Sequence, residues 1–330
     1  MLPLRAPRRP LAAAVALTIL APACRDSMLN ADPAPAAHAA NPIAGAAFHV
    51  DAASAARRQA DAWRSHRPAD AALMDRIASQ PQAVWFGEWS GDVRQAVGAA
   101  VAAAERTGSI PVLVAYNVPQ RDCGGLSGGG GATPEAYRRW ISEFAAGIGG
   151  SRAVVVVEPD ALAMLDCLSS ADRTTRLELL RHAVAVLART GAAVYLDAGH
   201  ARWHPAAEAA DRLRRAGVEH AAGFALNVSN FVETGENARY ADELSRLLGG
   251  KGAVIDTSRN GLGAAPDGEW CNPPGRALGA APTTATGRAS VHAYLWIKRP
   301  GESDGACNGG PVAGAWWGEY ALGLARRAPA

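Results

Sequence analysis

Ala153-Val-Val-Val-Val157, followed at once by Glu158-Pro-Asp160, is the stretch on which the fold turns. Five apolar residues, four of them β-branched, stand in a row with no polar residue alternating between them. That pattern predicts a strand buried on both faces, as in a parallel sheet covered by helices. The run ends abruptly. Pro159 lacks a backbone N–H and fixes its own φ, so the ladder stops there, and it stops between two carboxylates.

The same pattern recurs on either side. Apolar runs occur at Val84-Trp-Phe86, Pro111-Val-Leu-Val-Ala-Tyr116, Ala193-Val-Tyr-Leu196, Gly223-Phe-Ala-Leu226, Ala253-Val-Ile255 and His292-Ala-Tyr-Leu-Trp-Ile297. Between them lie segments with apolar residues at helical spacing: Asp92 to Thr107, Pro134 to Ile148, Arg173 to Thr190, Pro205 to Ala216 and Ala238 to Leu248. Strand and helix in alternation predict the α/β class with parallel pairing. About seven strands over this length predict a distorted (β/α) barrel related to the TIM type.

Polar residues are distributed unevenly about these runs. After them come Asn117 with Arg121-Asp122, Glu158-Pro-Asp160, Asp197-Ala-Gly-His200, Asn227-Val-Ser-Asn230, Asp256-Thr-Ser-Arg259-Asn260, and Lys298 through Asp304. Before them stand mostly Gly, Ala and Pro. Solvation alone would place polar residues at both ends. In a parallel barrel the loops after the strands form the active face, so the asymmetry points to an enzyme.

Charge and cysteine usage narrow the class. The 330 residues carry a formal net charge of +2 and no block of like charge, so nothing points to a nucleic-acid or polyanion binder. Arg5, Arg8 and Arg9 precede an apolar segment from Leu11 to Ala21, and residues 1–23 read as a signal peptide. Cys24 follows directly and is a candidate for a lipid anchor, the one membrane link expected. Residues 24–45, rich in Ala, Pro and Asn, read as a flexible linker. Residues 46–330 read as one catalytic domain, expected to be secreted or extracytoplasmic and monomeric. Export makes disulfides plausible for Cys123, Cys167, Cys271 and Cys307, which allow three pairings; four buried thiols are the alternative.

No nucleophile elbow, phosphate loop or HExxH motif is present, and Gly128 to Gly131 reads as a mobile loop. His200 and His204 are four apart, but without further ligands they predict neither a metal nor a cofactor. Several carboxylates without a metal cluster suit acid/base cleavage of an acetal. Trp85, Trp203, Trp270, Trp296, Trp316 and Trp317 offer flat apolar faces of the kind that stack on sugar rings, several of them in post-strand regions, whereas Trp296 and Trp317 read as core. Asp256 reads as structural, paired with Arg259.

Eight collinear motifs resemble glycoside hydrolase family 6, the inverting endoglucanases and cellobiohydrolases. They are Arg76-Ile-Ala-Ser-Gln-Pro-Gln-Ala-Val-Trp85-Phe, Tyr116-Asn-Val-Pro-Gln-Arg-Asp122-Cys, Val157-Glu-Pro-Asp160, Leu196-Asp197-Ala-Gly-His200-Ala-Arg-Trp203-His, Asn227-Val-Ser-Asn230-Phe, Val254-Ile-Asp-Thr-Ser-Arg-Asn-Gly261, Glu269-Trp270-Cys-Asn-Pro-Pro-Gly-Arg276 and Leu295-Trp-Ile-Lys298-Arg-Pro-Gly-Glu302-Ser-Asp304-Gly. The resemblance implies a barrel of fewer than eight strands. It also implies Asp160 as general acid, Asp122 as the carboxylate that raises its pKa, Asp304 at the position of the base, and Asp197 as a supporting carboxylate. Tyr116 would lie under the distorted sugar. Trp85, Trp203 and Trp270 would stack on sugars. His200, Asn227, Lys298 and Glu302 would bond to them. Bridges Cys123–Cys167 and Cys271–Cys307 are implied as well.

Where the family often carries a serine six residues past Asp122, this chain has Gly128, with Ser127 one before it. The short Cys271-to-Cys307 span resembles the open-cleft members and implies internal cleavage of β-1,4-glucan. The alternatives are a cellobiohydrolase, a barrel hydrolase acting on xylan or mixed-linkage glucan, and a non-catalytic surface glucan-binding protein.

Overall fold

The computed structural model describes residues 38–328. The expected signal peptide, Cys24 and most of the expected linker lie outside them. Residues 38–45, expected as the end of the linker, are part of the folded unit. By His38 the chain is already docked: the Ala39 amide donates to Gly250 O, the Asn41 side chain donates to His292 O, and Ile43 is buried.

Seven strands form one parallel sheet in chain order: β1 Val84–Phe86, β2 Val112–Ala115, β3 Ala153–Val157, β4 Ala192–Asp197, β5 Gly223–Leu226, β6 Gly252–Asp256 and β7 Val291–Leu295. Alternate side chains serve two different cores. Leu113, Val155, Val157, Leu196, Phe224 and Ile255 pack outward against helices. Val112, Val114, Val154, Val156, Tyr195, Ala225, Val254 and Leu295 fill the interior of the curled sheet. Both faces are buried, which is why the strands read as unbroken apolar runs.

The sheet curls without closing, for β1 and β7 form no ladder with each other. Two bonds span the seam: Ala83 N–H to Trp296 O at 3.0 Å, and the Trp85 indole N–H to Ile297 O at 2.8 Å.

The helices between strands are α3 Val93–Glu105, α4 Pro134–Ile148, α5 Ser170–Leu187, α6 Ala206–Arg215 and α7 Thr234–Leu247. Three of these five starts follow capping chemistry. The side chains of Asp92, Thr133 and Ser169 accept the amides of Gln95, Ala136 and Asp172. Three further helices, α1 Ala55–Trp63, α2 Pro68–Ala78 and α8 Gly318–Arg327, make a third apolar cluster with Trp296 and Leu278. Trp296 is core, as expected; Trp317 packs at the edge of the same cluster.

Candidate active site

Because all seven strands run the same way, the segments that follow them open at one mouth. They line a cleft of about 1020 Å³. Trp85, Tyr116, Asp122, Asp160, His200, Trp203, Trp270, Lys298, Glu302 and Asp304 all reach it. Of the six large hydrophobics most exposed among the described residues, Trp89, Leu126, Trp270 and Val312 lie on its walls. Apolar surface left open to water is thus concentrated where a ligand would cover it.

The backbone around the cleft is unusual. Among the described residues, nine non-glycine residues have left-handed φ: Gln120, Asp122, Cys123, Glu158, Asp160, Asn227, Ser229, Asn272 and Asn308. All nine lie on the loops at this mouth. Such conformations persist only where surrounding bonds enforce them, and here the bonds are visible. The buried Glu158 carboxylate accepts Asn117 N at 3.0 and 2.9 Å and Val118 N at 3.0 Å, tying the end of β2 to the end of β3. Arg176 donates to Pro119 O, Gln120 O and Ala161 O across the same two loops.

Asp160 sits at φ 67° with its amide donating to Asp197 Oδ1 at 2.9 Å. Its own Oδ1 is buried and has no hydrogen-bond partner. Burial, and then the negative charges of Asp122 and Asp304, push its carboxyl up to about 7; Lys298 opposes them. Asp197 does not line the cleft. It lies behind Asp160, accepts Gly199 N at 3.0 Å, and is held well above the carboxylate range by burial and by Asp160.

Asp304 has opposite surroundings. Its Oδ2 accepts Arg259 NH1 at 2.9 Å and Asn272 N at 3.0 Å, and Lys298 Nζ lies 3.5 Å from Oδ1. Burial alone would raise it, but the guanidinium and ammonium hold the carboxyl below its ordinary value. Arg259 therefore pairs with Asp304 and not with Asp256, as the sequence had suggested. Asp256 is structural, accepting the amides of Ser229, Ser258, Ile297 and Lys298.

Asp122 Oδ2 accepts Ser127 N at 2.8 Å and Ser127 Oγ at 2.9 Å; Ser127 Oγ also meets Tyr116 OH at 3.0 Å. The hydroxyl on this loop comes from Ser127. The glycine run expected to be a mobile loop is tied down. Arg121 N donates to Gly129 O and Gly131 N to Asn117 O. The Arg121 side chain grips Ser127 O at 2.9 Å and forms a fork with Glu88 at 2.6 and 2.9 Å. Glycine is required there: a Cβ on Gly130 would lie 2.0 Å from Val118 O. Both expected disulfides are present, Cys123–Cys167 and Cys271–Cys307.

Trp203 packs on His200, with ring centroids 5.2 Å apart. Burial and then Arg202 push the His200 ring down to about 4, so it is neutral; its Nδ1 accepts Arg202 N. Glu302 meets Arg299 at 2.7 Å. Asn227 does not reach the cleft. It is fully buried, its amide donating to Asp256 O and accepting Val232 N, and its neighbours Ser229 and Asn230 line the wall instead. A polar residue just past a strand can face inward to hold the turn, and spacing alone does not separate the two roles. Trp89 and Arg202 are cleft residues the sequence did not single out; a second tryptophan four residues after Trp85 was the available signal. Among the described residues one group, Asp166, His204 and Glu208, clusters like metal ligands, but Arg212 already bonds both carboxylates.

Residues 43–328 match the model of the glycosyl hydrolases family 6. Endoglucanase A of Cellulomonas fimi is 47% identical over 288 residues, covering 85% of this chain and 61% of that protein. Endoglucanase 1 of Streptomyces halstedii is 44% identical over 302 residues, covering 87% of this chain and 91% of that protein. Among solved structures, the endoglucanase Cel6 from Mycobacterium tuberculosis, in complex with methyl-cellobiosyl-4-deoxy-4-thio-β-D-cellobioside, superposes with a TM-score of 0.84 at 50% identity. It covers 87% of this chain and 99% of its own. The family match runs from the first turn docked on the sheet to the last helix, and the chain belongs to glycosyl hydrolase family 6.

Proposed function

We propose that the chain is an endo-β-1,4-glucanase that cleaves internal glucosidic bonds with inversion, Asp160 acting as general acid. The carrying observation is the Asp160 carboxyl at the cleft wall: the residue is half-buried, its Oδ1 is buried without a partner, and the carboxyl is pushed up to about 7. A carboxyl that keeps its proton near neutrality can give it to the leaving glycosidic oxygen. Asp122 holds that proton in place by its charge. Asp304 supplies a fixed negative charge opposite developing positive charge on the sugar, and is the acceptor for the attacking water's proton. Its cationic partners make it a weak base, so its electrostatic share is large. The Tyr116–Ser127–Asp122 chain of hydroxyls and carboxylate orients that water, the part that Gly128 cannot play. Tyr116, Trp85, Trp203 and Trp270 carry sugar rings, and His200, Lys298 and Glu302 bond to them.

The relatives' endoglucanase names and the exposed aromatic rim support internal cleavage. The two disulfides support an oxidising compartment, and we extend the proposal to export, with residues 1–23 removed and Cys24 available for a lipid anchor. Among the described residues no helix is long and apolar enough to cross a membrane.

Asp160→Ala is expected to lower kcat by about 10²- to 10⁴-fold while cellohexaose still binds by calorimetry. Unchanged turnover would remove Asp160 from its role. On carboxymethylcellulose, viscosity should fall well before reducing ends accumulate. Cellobiose release at constant viscosity would make the enzyme exo-acting, and an early β product by NMR would contradict inversion.

A further inference from the structure

Trp89 is 55% exposed on the cleft wall, yet its indole is held from behind. It sits in a short 3₁₀ turn, Glu88–Ser90, closed by Ser90 Oγ accepting Gly87 N at 3.0 Å. The ring lies against the Gly87 backbone so closely that a Cβ there would come within 2.4 Å of it. The Arg121 guanidinium lies 5.1 Å from the ring centroid and is fixed in turn by its fork with Glu88. The same guanidinium lies 4.5 Å from the Tyr116 ring. A large apolar face is thus presented to solvent, and among the described residues nothing covers it.

Two roles are available to such a ring. It could shield the Arg121–Glu88 ion pair, or it could carry a ligand. A shield would bury itself over the pair it protects. Trp89 instead leaves over half its surface open, and it does so within the cleft, beside Trp85 on the β1 side. We propose that Trp89 is a glucosyl-stacking platform, a distal subsite at the rim that engages one further sugar of a long β-1,4-glucan. The proposal rests on the glucanase reading and extends it. Its chemistry is apolar contact between the indole face and the C–H face of a pyranose ring, with Arg121 behind the ring keeping it planar to the groove. The subsite therefore distinguishes chain lengths and has no part in bond cleavage.

The test compares kcat/KM across cellotriose, cellotetraose, cellopentaose and cellohexaose for the wild type, Trp89→Ala and Trp89→Phe. The platform predicts that Trp89→Ala flattens the rise with chain length, by on the order of tenfold at the long end, and that Trp89→Phe restores most of it. An equal loss at every length would make Trp89 a prop for Arg121 and overturn the proposal; so would an unchanged profile. Calorimetry of cellohexaose on Asp160→Ala, with and without Trp89→Ala, reads the platform without turnover. A weaker Kd in the double variant supports it, and an equal Kd refutes it. If the wild type cleaves none of these glucans, the glucanase reading fails, and the calorimetric comparison still decides the platform.

Discussion

Asp160, half-buried, and Asp304, buried, are carboxyls at the same mouth, yet their surroundings drive them apart. Asp160 has carboxylates for neighbours and one oxygen without a partner; Asp304 has a guanidinium, an ammonium and a backbone amide. In the proposed mechanism the first must be protonated and the second ionised. Activity should therefore fall as pH rises through about 7, where Asp160 loses its proton. On the acid side it should persist below the ordinary carboxylate range, because Asp304 stays charged there. Asp122→Asn removes a negative neighbour of Asp160, so the Asp160 pKa should drop and the basic limb of the kcat/KM profile should move to lower pH. A limb that stays in place, or moves up, would show that Asp122 does not set the acid's pKa. Asp160 was legible in the sequence because a carboxylate ending an apolar strand is a local pattern. The cation beside Asp304 was not, because Arg259 and Asp304 are 45 positions apart and only the closing of the loops brings them together.

At the scale of elements, the strands were readable because each is buried on both faces and so shows as an unbroken run. The five helices between strands were readable from their apolar spacing. The helices α1, α2 and α8 lie outside the β/α alternation, before β1 or after β7. The mouth loops were the least legible part. Their left-handed turns sit on Asp, Glu, Asn, Cys, Gln and Ser, without the glycine that would announce them. What holds those turns is the Glu158 carboxylate, Arg176, Arg121 and a disulfide. Cys123–Cys167 links the loop after β2 to the loop after β3, across a sequence separation of 44. Replacing both cysteines by serine should lower stability by about 2–4 kcal/mol. It should also weaken kcat more than a distant cut of equal stability cost, since Asp122 adjoins Cys123. Denaturant unfolding beside steady-state kinetics checks both; a stability loss with kcat intact would free the bridge of any part in positioning Asp122.

For the whole molecule, buried carboxyls make folding respond to pH in a particular direction. Glu158 and Asp160 are both pushed up to about 7, chiefly by burial. The unfolded chain releases those protons near pH 4, whereas the folded chain holds them to about 7. Between these values the two groups bind more protons in the native state, so their contribution to stability falls as pH rises. Between about 4 and 6.5 the neutral His200 and His292, pushed down to about 4 chiefly by burial, oppose this trend because the unfolded chain charges them there, so the loss from the two carboxyls should show as pH rises from about 6.5 to about 8. Below that window the trend reverses, because Asp70, Asp75 and Asp304 are held low by arginine or lysine partners and lose those pairings on protonation. Tm measured across pH should therefore peak on the acid side of neutrality; a peak at or above pH 8 would contradict the buried-proton account.

The unclosed sheet has one more consequence. A barrel with a missing stave needs a fastener, and between β1 and β7 one fastener is the indole N–H of Trp85, bonded to Ile297 O at 2.8 Å. The same indole faces the cleft and meets Tyr116 edge-on at 5.1 Å. If the proposed sugar contact holds, Trp85 is at once rivet and bench. Removing it would loosen the wall while clearing the surface, and a loss of activity in Trp85→Ala would report both together. Trp85→Phe is the cleaner cut: it keeps a flat, smaller ring in the groove and takes away the hydrogen bond across the gap.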